Sequence, residues 1–263
     1  MKGVPNLYVP AFGKCGTTTL ASVLSSHSGI EIPDMASVPW RCTDKESHFY
    51  TRPDFAKQRL ERCVDVYPGV AAYRLDATPS YFWQQESLIK IRELAEAPKI
   101  IVIIRDPVES TFSLWNHFQR ALRTCDKKEL ESWKGFHPEL SLEDHVDQMI
   151  AGKNNALSEI GKRSFFLSGI TAVFQAEQVK VCFLENMQRD FSAFYRDLFD
   201  WLELPDCPVN EVKLNSFQYS FIPNAEVTEK LTKFFDPWNK KLKLLLDDRG
   251  KGEVVPECYF DYQ

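Results

Sequence analysis

Residues 6–26 read NLYVPAFGKCGTTTLASVLSS, and the order of residue types in them decides the fold class. Residues 7–12 form an apolar run of strand length, Gly13 breaks it, and Leu20, Val23 and Leu24 then fall on one face of a helix. Between strand and helix lie Gly13, Lys14, Cys15, Gly16, Thr17, Thr18 and Thr19. Glycines let the backbone turn tightly, the first N–H groups of a helix lack intrahelical acceptors, and the helix dipole favours an anion at that end. A lysine and three hydroxyls make the turn a cradle for a phosphate or sulfate ester. On these residues alone, an ordinary strand-to-helix turn capped by threonine stays open as the alternative.

The turn departs from the Walker A pattern, which needs four residues between its glycines and a Lys-Ser/Thr pair after the second. Here Lys14 precedes Gly16 and the glycines lie closer together. A kinase or NTPase therefore loses its main support, although a nucleotide kinase with an atypical phosphate loop stays open, as does a non-catalytic nucleotide-binding module. Composition narrows the field further. The 263 residues are 44% hydrophobic and 13% aromatic, enough for a substantial core. No repeat, low-complexity tract or long Pro/Gly/Ser linker divides them, so a single domain over residues 1–263 is expected. The formal net charge of −5 speaks against a nucleic-acid surface. No apolar stretch approaches the ~18 residues of a membrane span, and the start lacks a signal-peptide pattern. The expected location is cytoplasmic, with a catalytic part trimmed from a longer chain as the alternative. Seven cysteines at scattered spacings, without a CxxC pair, give no zinc or redox motif.

Along the chain, residues 30–47 read as irregular. They lead into KESHFY (45–50), where Glu46 and His48 share one face of an extended segment. That pair suits proton abstraction from a hydroxyl or amine, and a solvated charge pair is the plain alternative. A helix is expected over 53–67 and a short strand over 70–75, followed by the loop DATPSYF (76–82), in which Pro79 forces Thr78 out of helical space. A helix follows over 86–96. KIIVII (99–104) is apolar on both faces and belongs inside a parallel sheet covered on each side. It runs into Arg105 and a helix over 108–120 carrying Ser113. An arginine at a strand's carboxyl end can hold a phosphate bidentately; an ion pair with Asp106 or Glu109 is the competing use. Helices are expected over 142–150 and 157–174, a strand over 179–184, a helix over 193–202 capped by Asp190, and a last helix over 227–246 interrupted at Pro237.

The ordered motifs GKCGTTTL, KESHFY, DATPSYF, KIIVIIRDPVESTFSLWNHF, VKVCFLENM and FFDPWNKKLKLLL resemble the sulfotransferases that use 3′-phosphoadenosine 5′-phosphosulfate (PAPS). The likeness is closest to the carbohydrate branch, the heparan sulfate N- and 3-O-sulfotransferases, and covers roughly residues 7–246. It implies an α/β, P-loop-like three-layer fold with a central parallel sheet flanked by helices. By this resemblance Lys14, Cys15, Gly16, Thr17, Thr18 and Thr19 hold the 5′-phosphosulfate, while Arg105 and Ser113 hold the 3′-phosphate. Glu46 is the base with His48 beside it, Lys14 stabilises the leaving phosphate, the product is 3′-phosphoadenosine 5′-phosphate (PAP), and no metal is needed.

Departures from the branch bear on the acceptor. Ala77 stands where the heparan enzymes usually carry lysine, and 218–224 lacks the Lys-Gly-Arg type of segment that closes over the donor in relatives. Lys162 and Arg163 are the nearest substitutes in type, and neither is assigned that role. The late cysteine pair of Golgi members also lacks counterparts. With the acidic balance, these gaps lead to an expected small neutral or cationic acceptor, ahead of a sulfated polysaccharide; a saccharide acceptor stays within the reading.

Overall fold

The computed structural model describes residues 3–34, 46–51, 66–67, 69–122, 136–137, 139–153, 155–210, 224–250 and 256. The chain divides into two compact units. The first comprises Met1–Ile104 and Phe166–Ser216, the second Arg105–Phe165 and Phe217–Gln263. The expected helix over 53–67 lies almost wholly outside the described residues, as do the segments 35–45, 123–135 and 211–223.

The first unit holds the sheet. Its strands are β1 (Leu7–Tyr8), β2 (Ile30–Glu31), β3 (Tyr73–Asp76), β4 (Lys99–Ile104) and β5 (Val179–Phe183), in the order β2-β3-β1-β4-β5 with every pairing parallel. Helices α1 (Thr17–Leu24) and α2 (Gln85–Leu94) connect successive strands, as right-handed parallel crossovers require. Strand β4 lies between β1 and β5, and Ile100 to Ile104 are each at most 1% exposed, which agrees with its unbroken apolar sequence. Each such side chain contributes about 1.5–3 kcal/mol by leaving water, so this strand anchors the unit.

Several strand expectations change; the strand expected over 70–75 spans Tyr73–Asp76. Strand β1 is shorter than the apolar run, because Pro10 has no N–H to give to a ladder; pairing returns only as a bridge between Ala11 and Ile103. Strand β2 replaces the irregular start expected at residue 30, and its two residues are too few to show any period.

The second unit is helical: α3 (Pro107–Ala121), α4 (Leu142–Ile150) and, near the end of the chain, a helix over Ala225–Arg249. Between α4 and the last helix, the single helix expected over 157–174 is instead a 3-10 segment, Ala156–Lys162, followed by α5 (Arg163–Val173), which passes into the first unit at Phe166. Gly161 explains part of the tight segment. A Cβ there would meet Trp238 Cδ1 at 3.1 Å and Phe235 Cδ1 at 3.3 Å, so the backbone approaches the last helix closely. In the first unit, β5 is followed by α6 (Leu184–Arg189) and α7 (Phe191–Trp201); Asp190 caps α7 by accepting from the Ala193 amide, as expected.

The last helix, α8, runs through Pro237 without interruption, contrary to the break expected there. An interior proline removes one hydrogen bond and costs about 3 kcal/mol. Burial on both sides of it holds the helix together: Val227, Leu231 and Phe235 before, Asn239, Leu242 and Leu246 after, at spacings that keep one stripe facing inward. Among the described residues, no helix is long and apolar enough to cross a membrane.

Candidate active site

The glycine-lysine turn lies where β1 gives way to α1. Lys14 (φ 68°) and Gly16 (φ 82°) are both left-handed, which curls the backbone at the mouth of the helix. A side chain at Gly16 would be strained by that φ, and its Cβ would lie 2.7 Å from Leu184 Cδ1 on α6. No side chain caps α1; its first internal bond is Leu20 N–H to the Gly16 carbonyl at 3.0 Å. The amides of Thr17, Thr18 and Thr19 therefore have no intrahelical acceptor, and they carry the positive end of the helix dipole. Cys15 is fully buried with Sγ 3.9 Å from the Gly13 carbonyl, so its thiol is turned away from solvent. Lys14 and Thr18 are half-buried, while Thr17 and Thr19 are buried.

Beside β1 in the sheet, β3 ends at Asp76, with Tyr8 in register with Asp76 and the Val9 amide bonded to the Asp76 carbonyl at 3.1 Å. The glycine-lysine turn thus follows a strand whose neighbour carries the DATPSYF loop, and both leave from carboxyl ends, where open parallel sheets take ligands. Thr78 is extended (φ −85°, ψ 105°), as Pro79 demands, and a 3-10 helix follows over Pro79–Trp83.

Glu46 and His48 meet. His48 Nε2 lies 3.2 Å from Glu46 Oε2, with both side chains less than a fifth exposed, and His48 Nδ1 lies 2.9 Å from Thr51 Oγ1. Ser47, Phe49 and Tyr50 are buried, so Glu46 and His48 are turned together to the more open side, as their spacing predicts. His48 itself is left-handed (φ 51°), an uncommon state for this residue that needs local support. The support is a set of hydrogen bonds. Thr78 Oγ1 accepts from the His48 amide at 3.1 Å and donates to Asp76 Oδ1 at 2.6 Å. Tyr81 Oη accepts from the Tyr50 amide at 3.1 Å and donates to Asp76 Oδ2 at 2.9 Å. Burial pushes the Asp76 carboxyl above the usual carboxylate range, against the pull of the Ser47, Thr78 and Tyr81 hydroxyls and of His48. Burial likewise raises Tyr81 and Tyr8, so both phenols keep their protons. Tyr8 gives its proton to the Pro5 carbonyl at 2.5 Å, which makes Tyr50 the donor in the 3.2 Å contact between the two phenol oxygens. Sequence reading assigned no role to Asp76, Thr78 or Tyr81. The signal was two hydroxyl residues two and five positions after an acid at a strand end.

Arg105 and Ser113 belong to the second unit. Arg105 Nη2 lies 3.3 Å from Glu109 Oε2, so the competing ion pair forms. Glu109 is more than half exposed, which makes that pair weak. Asp106 caps α3 by accepting from the Glu109 amide at 2.9 Å, and Ser113 is buried two turns into the helix. Arg163 is 2% exposed and donates to the Arg105 carbonyl and, at 2.7 Å, to Asn239 Oδ1. It braces the backbone at Arg105. Lys162 pairs with Glu159 at 2.6 Å.

The sulfotransferase domain family matches residues 5–237. Carbohydrate sulfotransferase 15 of Mus musculus is 22% identical over an alignment that takes in 95% of this chain and 54% of the mouse protein, so the chain spans about half that relative's length. Among solved structures, a sulfotransferase from Alicyclobacillus acidocaldarius superposes with a TM-score of 0.68 at 24% identity, covering 97% of this chain and 98% of that one. The sulfotransferase STF9 from Mycobacterium avium gives a TM-score of 0.50 at 13% identity, covering 89% of this chain and 68% of its own. At these identities the structural likeness speaks for the fold.

Proposed function

The chain belongs to the sulfotransferase domain family, and on that premise we propose that it moves a sulfuryl group from PAPS to a hydroxyl or amine of a small-molecule or saccharide acceptor. Glu46 takes the proton from the acceptor O–H or N–H. The freed lone pair attacks sulfur in line, a new S–O or S–N bond forms, and the S–O bond to the 5′-phosphate breaks with its electrons staying on PAP. Lys14 and the amides of Thr17, Thr18 and Thr19 at the N-terminus of α1 offset the charge that grows on the leaving oxygen. Backbone groups of Cys15 and Gly16 complete the 5′ cradle. His48, 3.2 Å from Glu46, holds the carboxylate in one orientation. Arg105 and Ser113 take the 3′-phosphate, with Arg105 exchanging Glu109 for the ligand.

One observation carries the reading: an uncapped helix N-terminus with a lysine turn, next to a strand whose end supports a Glu-His pair. An anion cradle alone suits any phosphate binder. A braced carboxylate at the neighbouring strand end is what a transfer to O–H or N–H needs and a pure binder does not. The acceptor reading keeps to neutral or cationic compounds, because the chain is acidic overall and has Ala77 at the strand-end loop.

The test uses sulfur-labelled PAPS with a panel of a neutral hexose, glucosamine and a simple phenol. Wild type is expected to label at least one class, and Glu46→Gln to lower kcat about 10²–10⁴-fold, the range for loss of a general base, while PAP binding by calorimetry stays unchanged. Full activity in Glu46→Gln would remove the base from the mechanism.

A further inference from the structure

Asp76 is fully buried, and the proposed reaction leaves it unused. A buried carboxylate is expensive unless its oxygens are satisfied, and here they are satisfied in a particular way. One oxygen receives Thr78 Oγ1–H at 2.6 Å and the other receives Tyr81 Oη–H at 2.9 Å. Each hydroxyl has a single proton, so donating it to Asp76 turns the oxygen's lone pairs outward as acceptors. Those acceptors are filled by the amides of His48 and Tyr50, each at 3.1 Å. One side chain thereby fixes two backbone points in the segment that carries Glu46 and His48, one of them the left-handed residue.

We propose that Asp76 is a positioning residue that aims the Glu46–His48 pair at the acceptor through the hydroxyls of Thr78 and Tyr81. The inference rests on the reading of Glu46 as base. An asparagine would fill the same space without burying a charge, but it offers one acceptor oxygen and two N–H donors. One hydroxyl would then have to reverse, and its partner amide, at His48 or Tyr50, would lose its acceptor. A carboxylate accepts from one hydroxyl on each oxygen and brings no donor of its own. The outer ring of the arrangement is equally fixed: Ser87 Oγ donates to the Tyr50 carbonyl at 2.6 Å, and Tyr50 donates to Tyr8.

The experiment is a double-mutant cycle on the full chain with the labelled-PAPS panel, using Asp76→Asn, Glu46→Gln and the double variant, with PAP affinity measured in parallel. Asp76→Asn is expected to lower kcat about 10²-fold, the size of a small misplacement of a reacting group, with PAP affinity held within about twofold of wild type. In the Glu46→Gln background the further loss from Asp76→Asn should vanish, because residues acting as one unit are not additive. A purely structural role would give losses that multiply, or a parallel loss of PAP binding, and either overturns the proposal. Should Asp76→Asn not fold, Tyr81→Phe and Thr78→Val each remove one hydroxyl while keeping the carboxylate, and the same non-additivity with Glu46→Gln is expected. Full activity in Asp76→Asn beside a crippled Glu46→Gln overturns the positioning role alone. Full activity in Glu46→Gln overturns the base assignment, and this inference with it.

Discussion

Arg105 is the residue whose proposed role is most directly open to test. It points a nitrogen at the more exposed Glu109, 3.3 Å away, while its own carbonyl is held by the buried Arg163. Arg105→Ala is expected to weaken PAP about 10–100-fold, the worth of one charged hydrogen-bonding partner, and to leave 5′-AMP within about twofold. Calorimetric titration of both ligands checks this, and equal losses contradict the 3′-phosphate role. At this scale the sequence was legible where chemistry travels with residue type. Lys14 and Gly16 stand at the strand-to-helix turn that the sequence order predicts, and Glu46 and His48 meet as their two-residue separation predicts. Asp76 did not announce itself. Its role depends on Thr78 and Tyr81 converging from an extended residue and a 3-10 turn, and no periodicity encodes that convergence.

Among the elements, α4 shows how a polar group sets local pH dependence. Ser141 and Asp144 form a capping box at its start. His145, in its first turn, is buried and stacked on Phe136 at 4.9 Å. Its Nε2 donates to the His137 carbonyl at 2.9 Å and its Nδ1 accepts from Asn155 Nδ2 at 3.0 Å, an arrangement that needs the neutral ring. Burial holds the imidazole below its ordinary range. The unfolded chain therefore binds more protons between the two values, and the stabilisation is lost as pH falls through that window. His145→Gln, which can keep one donor and one acceptor, is expected to be about 1–3 kcal/mol less stable than wild type at pH ~8. The gap should narrow as pH drops below about 6.5. Chemical denaturation at both ends of that range checks it, and a gap that stays constant contradicts the neutral-ring account. The elements most legible in the sequence were those with long unbroken patterns, β4 and α3. The misread ones share a cause: Pro237 and Gly161 obey packing against neighbours, which a local rule for proline or a helical period does not contain.

Over the whole molecule, the two units divide the candidate residues. Lys14 to Thr19, Glu46, His48 and Asp76 lie in the sheet-bearing unit, and Arg105 and Ser113 in the helical one. The fold class was readable because a strand, a glycine turn and a helix at residues 7–24, followed by the apolar KIIVII strand, leave few arrangements besides a parallel sheet with crossover helices. The acceptor was much less readable, since substrate shape is set by loops, and loops carry neither period nor fixed motif. The donor assignment is the proposal on which the others rest. Calorimetric titration of the wild-type chain with PAP and with adenosine tests it most directly. Two phosphates, each held by at least one charge-assisted hydrogen bond of about 1.5–3 kcal/mol, predict that PAP binds about 10²-fold tighter or more; equal affinity for the two would contradict it.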